Sequence, residues 1–321
     1  MGRSQPISIK PTKKEIQNGR LGPRNLELAI RSLYQDGLVV VNDVIPHDML
    51  HRLNEKMVKD AHELYGRKED SPFNYNPNNL QQDAPPMREF FEPQIFMNPI
   101  ATQITSTALG PRPKWTFCSG NTAMPPTREN LAVSQPVHSD ADFAHPDHPF
   151  AHVINVPLIT MTPENGSTEV WLGTHQESGL HIQEGKHGER ASGRIKLDEL
   201  EDRRSVRPPC QPTIPKGSII IRDLRLWHAG IGNQTDTIRV MLAMSKLPSC
   251  MFERKLTNMF EVHFAPWYRN PMKLQLADDL KEIVESEMSL EIPVDWASKD
   301  AVAEQYLNRA FGNAYNFSQV K

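Results

Sequence analysis

The sequence predicts a mainly β protein, a sandwich or barrel core with helices at both ends, on three observations. From residue 113 onward, short β-prone runs alternate with Gly, Pro and Asn at the regular spacing that marks an all-β core rather than βαβ units. Helical periodicity is confined to the two ends of the chain. Of 321 residues, 27 are proline and 17 glycine, and proline at about 8% against a usual 5% signals many turns and strand ends. Length alone would allow two domains, but β-barrels commonly run 200–250 residues as one. A single domain is therefore expected.

The elements follow in order. The first 23 residues are polar. Residues 24–35 place Leu26, Ile30 and Leu33 on one helical face, and Asp36-Gly37 ends that helix before a strand over 38–44. Ile45-Pro46 opens a second helix near His47 or Asp48, with Leu50, Leu53, Met57 and Ala61 on one face. Residues 71–86, rich in Asn and Pro, read as a loop. Strand runs are expected at 114–117, 135–139, 152–162, 167–172, 211–214, 218–222 and 237–245, with Lys216-Gly217 as a tight turn. A charged, Gly-containing insertion at 176–209 interrupts them. Helices at 274–288 and, after Pro293, 296–311 close the chain. The expected layout is N-terminal helical and strand elements over 1–112, the β core over 113–250 and C-terminal helices over 251–321.

Composition narrows the function. Lys plus Arg number 36 and Asp plus Glu 39, a net charge of −3, so no basic excess exists to neutralise phosphates and no nucleic-acid partner is expected. No apolar run approaches the roughly 18 residues of a membrane span, and the N-terminus lacks the apolar stretch of a secretory signal. Cys118, Cys210 and Cys250 are an odd, widely spaced set, which reads as reduced thiols in a cytoplasmic protein.

The chemistry-bearing residues are histidines and an aspartate. Two His-x-Asp triplets occur, at 138–140 and 145–147. One triplet alone is a weak motif; context separates the two. His138 closes the β-prone run 135–137, and residues i and i+2 of an extended segment face one side, so His138 and Asp140 can reach one metal. The second triplet lies between Pro146 and Pro149, in loop sequence. His228, at the end of the stretch after strand 218–222 and before Ala229-Gly230, is the candidate third ligand. Two imidazoles and one carboxylate make the facial triad of non-haem Fe(II) oxygenases. Such a centre leaves three positions for a chelating dianionic oxoacid and then O2. Arg239, on the run 237–245, is placed to clamp a remote carboxylate in bidentate fashion.

These pieces carry a resemblance. Residues 135–247 resemble the phytanoyl-CoA dioxygenase family of Fe(II)/2-oxoglutarate-dependent oxygenases, through the His-x-Asp at 138–140, the stretch from Glu164 to His175 (ENGSTEVWLGTH), Lys216-Gly217-Ser218, Leu226-Trp227-His228 and Arg239. The stretch from Tyr34 to Val41 (YQDGLVVV) is similar to that family's opening strand. The resemblance implies a double-stranded β-helix, or jelly-roll, core with iron at one mouth. It implies His138, Asp140 and His228 as metal ligands and catalytic centre, Arg239 on the distal carboxylate of 2-oxoglutarate, and Gln135 and Thr168 as further cosubstrate contacts. Asp140 argues against a halogenase, whose relatives give up that carboxylate for chloride. The expected partner is a small, largely apolar organic substrate, oxidised by hydroxylation, desaturation, epoxidation or rearrangement, in specialised-metabolite biosynthesis; a homodimer is left open.

Two rival functions stand beside this one: a non-catalytic cupin-like binding protein, and a zinc hydrolase using His138, His145, His148 and His152. The hydrolase leaves Arg239 without a task. Trp115, Phe117, Phe143, Trp171 and Trp227 are read as core first and as pocket lining second.

Overall fold

The computed structural model describes residues 4–85, 88–111, 113–184 and 193–247. The helices expected beyond 251, and Cys250, lie outside them. In chain order the elements are β1 (Ser8–Ile9), α1 (Lys13–Gln17), α2 (Pro23–Asp36), β2 (Leu38–Val41), α3 (His47–Tyr65), β3 (Phe73–Asn74), β4 (Asn76–Gln82), α4 (Pro93–Phe96), α5 (Pro99–Leu109), β5 (Lys114–Ala123), β6 (His152–Pro157), β7 (Thr168–Val170), α6 (Leu197–Val206), β8 (Ile219–Asp223), β9 (His228–Gly230) and β10 (Arg239–Leu247).

Eight strands form one sheet in the order β1-β2-β8-β6-β10-β5-β4-β3, antiparallel except for β1 on β2. Strands β7 and β9 form a second, antiparallel sheet. Isolated bridges extend it: His138 with His228, Val170 with Cys210, and Met161 with Ile214. The two sheets are those of a double-stranded β-helix, as expected.

Both faces of the large sheet are covered, which explains why β2 (LVVV) and the start of β8 (III) are apolar throughout instead of alternating. On the outer face, Val39, Val41, Ile154, Val156, Ile219, Ile221, Val240 and Leu242 pack with Ala29 and Leu33 of α2 and Leu50, Leu53, Met57 and Ala61 of α3. Each such Val or Ile contributes roughly 1.5–3 kcal/mol relative to exposure. On the inner face, Leu38, Val40, Ile220 and Met241 meet Val170, Leu172 and Leu226. Helix α2 begins with Pro23 at N1 and ends at Gly37, whose φ of 73° is the left-handed cap that glycine adopts without strain.

Several expectations needed correction. Residues 71–86 are not a loop: β3 and β4 lie there. The sequence of β4, NPNNLQQ, has poor strand propensity, but tertiary hydrogen bonds secure it. Asn76 Nδ2 donates to the Val133 carbonyl (3.0 Å), Asn78 Nδ2 to those of Pro125 and Asn130 (3.2 Å each), and Gln82 Nε2 to that of Met57 (2.8 Å). Helix α5 was not expected, although Asn98 caps it by accepting from the Ile100 and Ala101 N–H groups and Pro99 opens it. The runs 135–139 and 211–214 form isolated bridges instead of strand ladders: His138 bridges both His228 and Arg194, and Ile214 bridges Met161. The insertion 176–209 contains α6, which buries none of its residues. Cations tie it down: Arg203 donates to the Leu172 carbonyl (2.6 Å), Arg204 lies 5.2 Å from the Trp171 ring, and Arg207 pairs with Asp36 (2.7 Å).

Candidate metal centre

Strand β9 organises the site. On one side, Val170 of β7 pairs with His228. On the other, His138 and His228 exchange both backbone hydrogen bonds, each 2.9 Å. A close antiparallel pair sets the two side chains on one face, and their rings stand 4.4 Å apart between centroids. Asp140, two residues past His138, reaches both: its Oδ1 lies 3.8 Å from His138 Nε2 and its Oδ2 3.7 Å from His228 Nε2. Among the described residues, His138, Asp140 and His228 are the group able to hold a metal ion, with one ligand atom from each within 4.8 Å of the others. His145, His148 and His152 form no such group with His138.

The second ring nitrogens settle the chemistry of the donors. His138 Nδ1 lies 2.9 Å from the Pro136 carbonyl and His228 Nδ1 3.0 Å from that of Leu226. A carbonyl can only accept, so Nδ1–H donates in both rings and each Nε2 presents its lone pair inward. Burial holds both imidazoles below their ordinary value, and Arg222 adds to this, while Asp140 opposes it. For Asp140, burial acts to raise the carboxyl, but Arg222, His228 and His138 outweigh it and hold it well below the ordinary 3.8. Two neutral imidazoles and one carboxylate are the donor set a divalent iron accepts. The two histidine side chains are 9% exposed and the aspartate 30%, so the centre opens on the Asp140 side.

Arg239 starts β10 and is 1% exposed. Its Nη1 donates to the Asn121 carbonyl (3.0 Å) and Oδ1 (3.1 Å), and its Nη2 to the Gly166 carbonyl (2.9 Å). All three acceptors are neutral, and Nε has no partner among the described residues. Burial alone draws this guanidinium down from 12.5 to about 10. A buried cation in neutral company invites an anionic ligand.

Gln135 and Thr168 both flank Gly230, two residues past His228. The backbone N–H of Gln135 donates to the Gly230 carbonyl, and Gln135 Oε1 accepts from the Gly230 N–H, both at 2.8 Å. Thr168 is the register partner of Gly230. A Cβ at 230 would stand 2.6 Å from Gln135 Oε1, so a larger residue there would push that amide out of its hydrogen bond. With its oxygen held there, Gln135 keeps its amide N–H groups as donors.

Sequence reasoning missed Arg222 and Tyr75. Arg222 donates from Nη2 to Asp140 Oδ2 (2.5 Å) and from Nε to Asn155 Oδ1 (3.3 Å). The signal was a lone cation in the apolar run Ile219-Ile220-Ile221-Arg222. Tyr75, at φ 69°, stacks obliquely on His138 with centroids 5.1 Å apart; positive φ in an aromatic residue is a marked outlier that collects at functional sites. Phe143, Trp171 and Trp227 belong to core clusters, and the side chains of Trp115 and Phe117 lie outside the described residues. His175 sits in a short turn with Nε2 3.2 Å from the Tyr34 carbonyl, away from the triad's contacts.

The sequence model of the phytanoyl-CoA dioxygenase family (PhyH) matches residues 33–241, which holds the triad and Arg239 together. The chain belongs to that family. As a phytanoyl-CoA dioxygenase family member it is an Fe(II)/2-oxoglutarate-dependent dioxygenase, with iron and 2-oxoglutarate as its cofactor and cosubstrate. Solved structures share its fold. The epimerase SnoN in complex with Fe3+, alpha ketoglutarate and nogalamycin RO matches at 14% identity and a TM-score of 0.53, over 71% of this chain and 85% of that one. The alpha ketoglutarate dependent carbocyclase SnoK from nogalamycin biosynthesis matches at 16% and 0.53, over 74% and 87%. EctD from S. alaskensis matches at 16% and 0.51, over 71% and 77%. Family membership removes the zinc hydrolase and the non-catalytic cupin from consideration. Among the described residues, no helix is long and apolar enough to cross a membrane.

Proposed function

We propose that His138, Asp140 and His228 hold the iron, that Arg239 receives the distal carboxylate of 2-oxoglutarate, and that Gln135 and Thr168 contact the same molecule. The substrate is a small organic molecule with a largely apolar body, oxidised by hydroxylation, desaturation, epoxidation or rearrangement in specialised-metabolite biosynthesis. The observation that carries the reading is the pairing of an inward-facing His-Asp-His set with a buried guanidinium whose partners among the described residues are all neutral. Bound there, iron and 2-oxoglutarate couple O2 activation to decarboxylation of the oxoacid to succinate.

The chain's own contribution is orientation. The carbonyls of Pro136 and Leu226 fix the two imidazole tautomers, Arg222 fixes the carboxylate plane, and Arg239 sets how far the cosubstrate reaches. The biosynthetic assignment rests on SnoN and SnoK, which share the fold and are named for nogalamycin or its biosynthesis. The test is anaerobic titration with Fe(II) and 2-oxoglutarate, followed by the metal-to-ligand charge-transfer absorption. The band forms in the wild type and is absent in His138→Ala and His228→Ala. A band retained in either variant refutes the ligand assignment, and no succinate release across a substrate panel refutes the activity.

A further inference from the structure

The sheet register puts a second cation inside the barrel. Arg222 faces Val153 of β6, and Val153 faces Ser245 of β10. Alternation along β10 then carries the same face through Ala243 and Met241 to Arg239. Arg222 and Arg239 therefore share the inner face, and Arg222 is 6% exposed. Its Nε and Nη2 are engaged by Asn155 and Asp140, but Nη1 is buried without a hydrogen-bond partner among the described residues.

Charge balance makes that orphan informative. Among the described residues, Arg222 is bonded to one carboxylate, that of Asp140, and the hydrogen-bond acceptors of Arg239 are all neutral oxygens. Two guanidinium cations against one carboxylate leave a single positive charge. A divalent ion and a dianionic oxoacid cancel each other, so the assembled centre still carries that charge. A metal on Asp140 also draws the carboxylate's charge away from Arg222. An uncompensated buried cation is costly, and one further carboxylate removes the cost.

We propose that Arg222 is a carboxylate-binding residue of the barrel interior, and that its ligand is the single carboxylate of a substrate with an apolar body. This rests on the oxygenase reading above and narrows its substrate class. The same donor could instead serve the second carboxylate of 2-oxoglutarate itself, and the experiment separates the two sources.

Full-length protein is loaded anaerobically with Fe(II) and 2-oxoglutarate, and the charge-transfer band is titrated with octanoic, phenylacetic and indole-3-acetic acids and with their methyl esters. In the wild type an acid shifts the band at a concentration at least about tenfold below its ester, and Arg222→Gln abolishes that preference. If Arg222→Gln instead weakens 2-oxoglutarate itself by about tenfold or more, while Co(II) affinity without 2-oxoglutarate stays within threefold, the carboxylate is the cosubstrate's and the binding role of Arg222 stands. Acids and esters that act alike, together with unchanged 2-oxoglutarate affinity in the variant, overturn the proposal. A wild-type protein that forms no band refutes the oxygenase reading beneath it. Should Arg222→Gln fail to fold, Arg222→Lys keeps the charge but loses the fork. Loss of the acid preference in that folded variant supports carboxylate binding by the guanidinium, and an undiminished preference overturns it.

Discussion

Replacing Arg239 with glutamine separates a ligand-binding cation from a structural one. The wild-type guanidinium is 1% exposed, donates three hydrogen bonds to neutral oxygens, and is drawn from 12.5 down to about 10 by burial. At about 1.4 kcal/mol per tenfold, that depression places about 3 kcal/mol against the charged form while no anion is bound. A carboxylate from 2-oxoglutarate returns this energy, so losing the cation weakens 2-oxoglutarate binding by about 100-fold or more. Stability without ligand changes little, because the lost hydrogen bonds are offset by relief of the buried charge. The assay is thermal unfolding of the Co(II)-loaded protein with and without 2-oxoglutarate, beside direct titration. At a hundredfold excess over its dissociation constant, a ligand adds about 2.7 kcal/mol to wild-type stability. The variant at the same concentration shows almost none of this. A variant whose 2-oxoglutarate-induced shift equals the wild type's would refute the reasoning.

Other expectations concern different parts of the molecule. Burial lowers His152 from 6.5 to about 4, so the unfolded chain takes up that proton first; stability is complete above about pH 6.5 and falls by about 3 kcal/mol on the way to pH 4. Denaturant midpoints measured from pH 7 to 5 fall less steeply in His152→Gln, and equal slopes would contradict this. Gly37→Ala costs at least about 1–2 kcal/mol from the left-handed backbone alone, and more because its Cβ would stand 2.5 Å from His175 Nδ1; urea unfolding reads it. A double-mutant cycle over Asp140→Asn and Arg222→Gln returns a coupling of about 0.5–3 kcal/mol, and a value of zero argues against their ion pair in solution. Burial pushes the Cys210 thiol up to about 11, so native protein at pH 8 resists iodoacetamide at that residue and denatured protein does not, as peptide mass spectrometry can show.

The sequence carried much of this structure because some signals are local. The periods of α2 and α3, the Gly37 stop and the paired residues 138 and 140 all express spacing that one stretch of chain determines. Family resemblance joined the distant pieces, and the structure brings His138, Asp140 and His228 together as that resemblance implied. What escaped reading depended on remote partners. Strand β4 is held by carbonyls at residues 57, 125, 130 and 133, and nothing in Asn-Pro-Asn-Asn announces them. Arg222 looks like a strand-end charge until Asp140 and Asn155 are placed beside it. Helix α5 is different: its Asn98-Pro99 start is a legible local signal, masked by an apolar stretch that lacks charged periodicity.

The pairing of His138 with His228 joins residues ninety positions apart. An ion held by both would bind the folded chain and not the unfolded one, so it would work as a removable rivet across the stretch between them, stabilising it by mass action, about 2.7 kcal/mol at a hundredfold excess over its dissociation constant. Metal loading is therefore expected to slow proteolysis of this protein, which limited digestion with and without Co(II) measures.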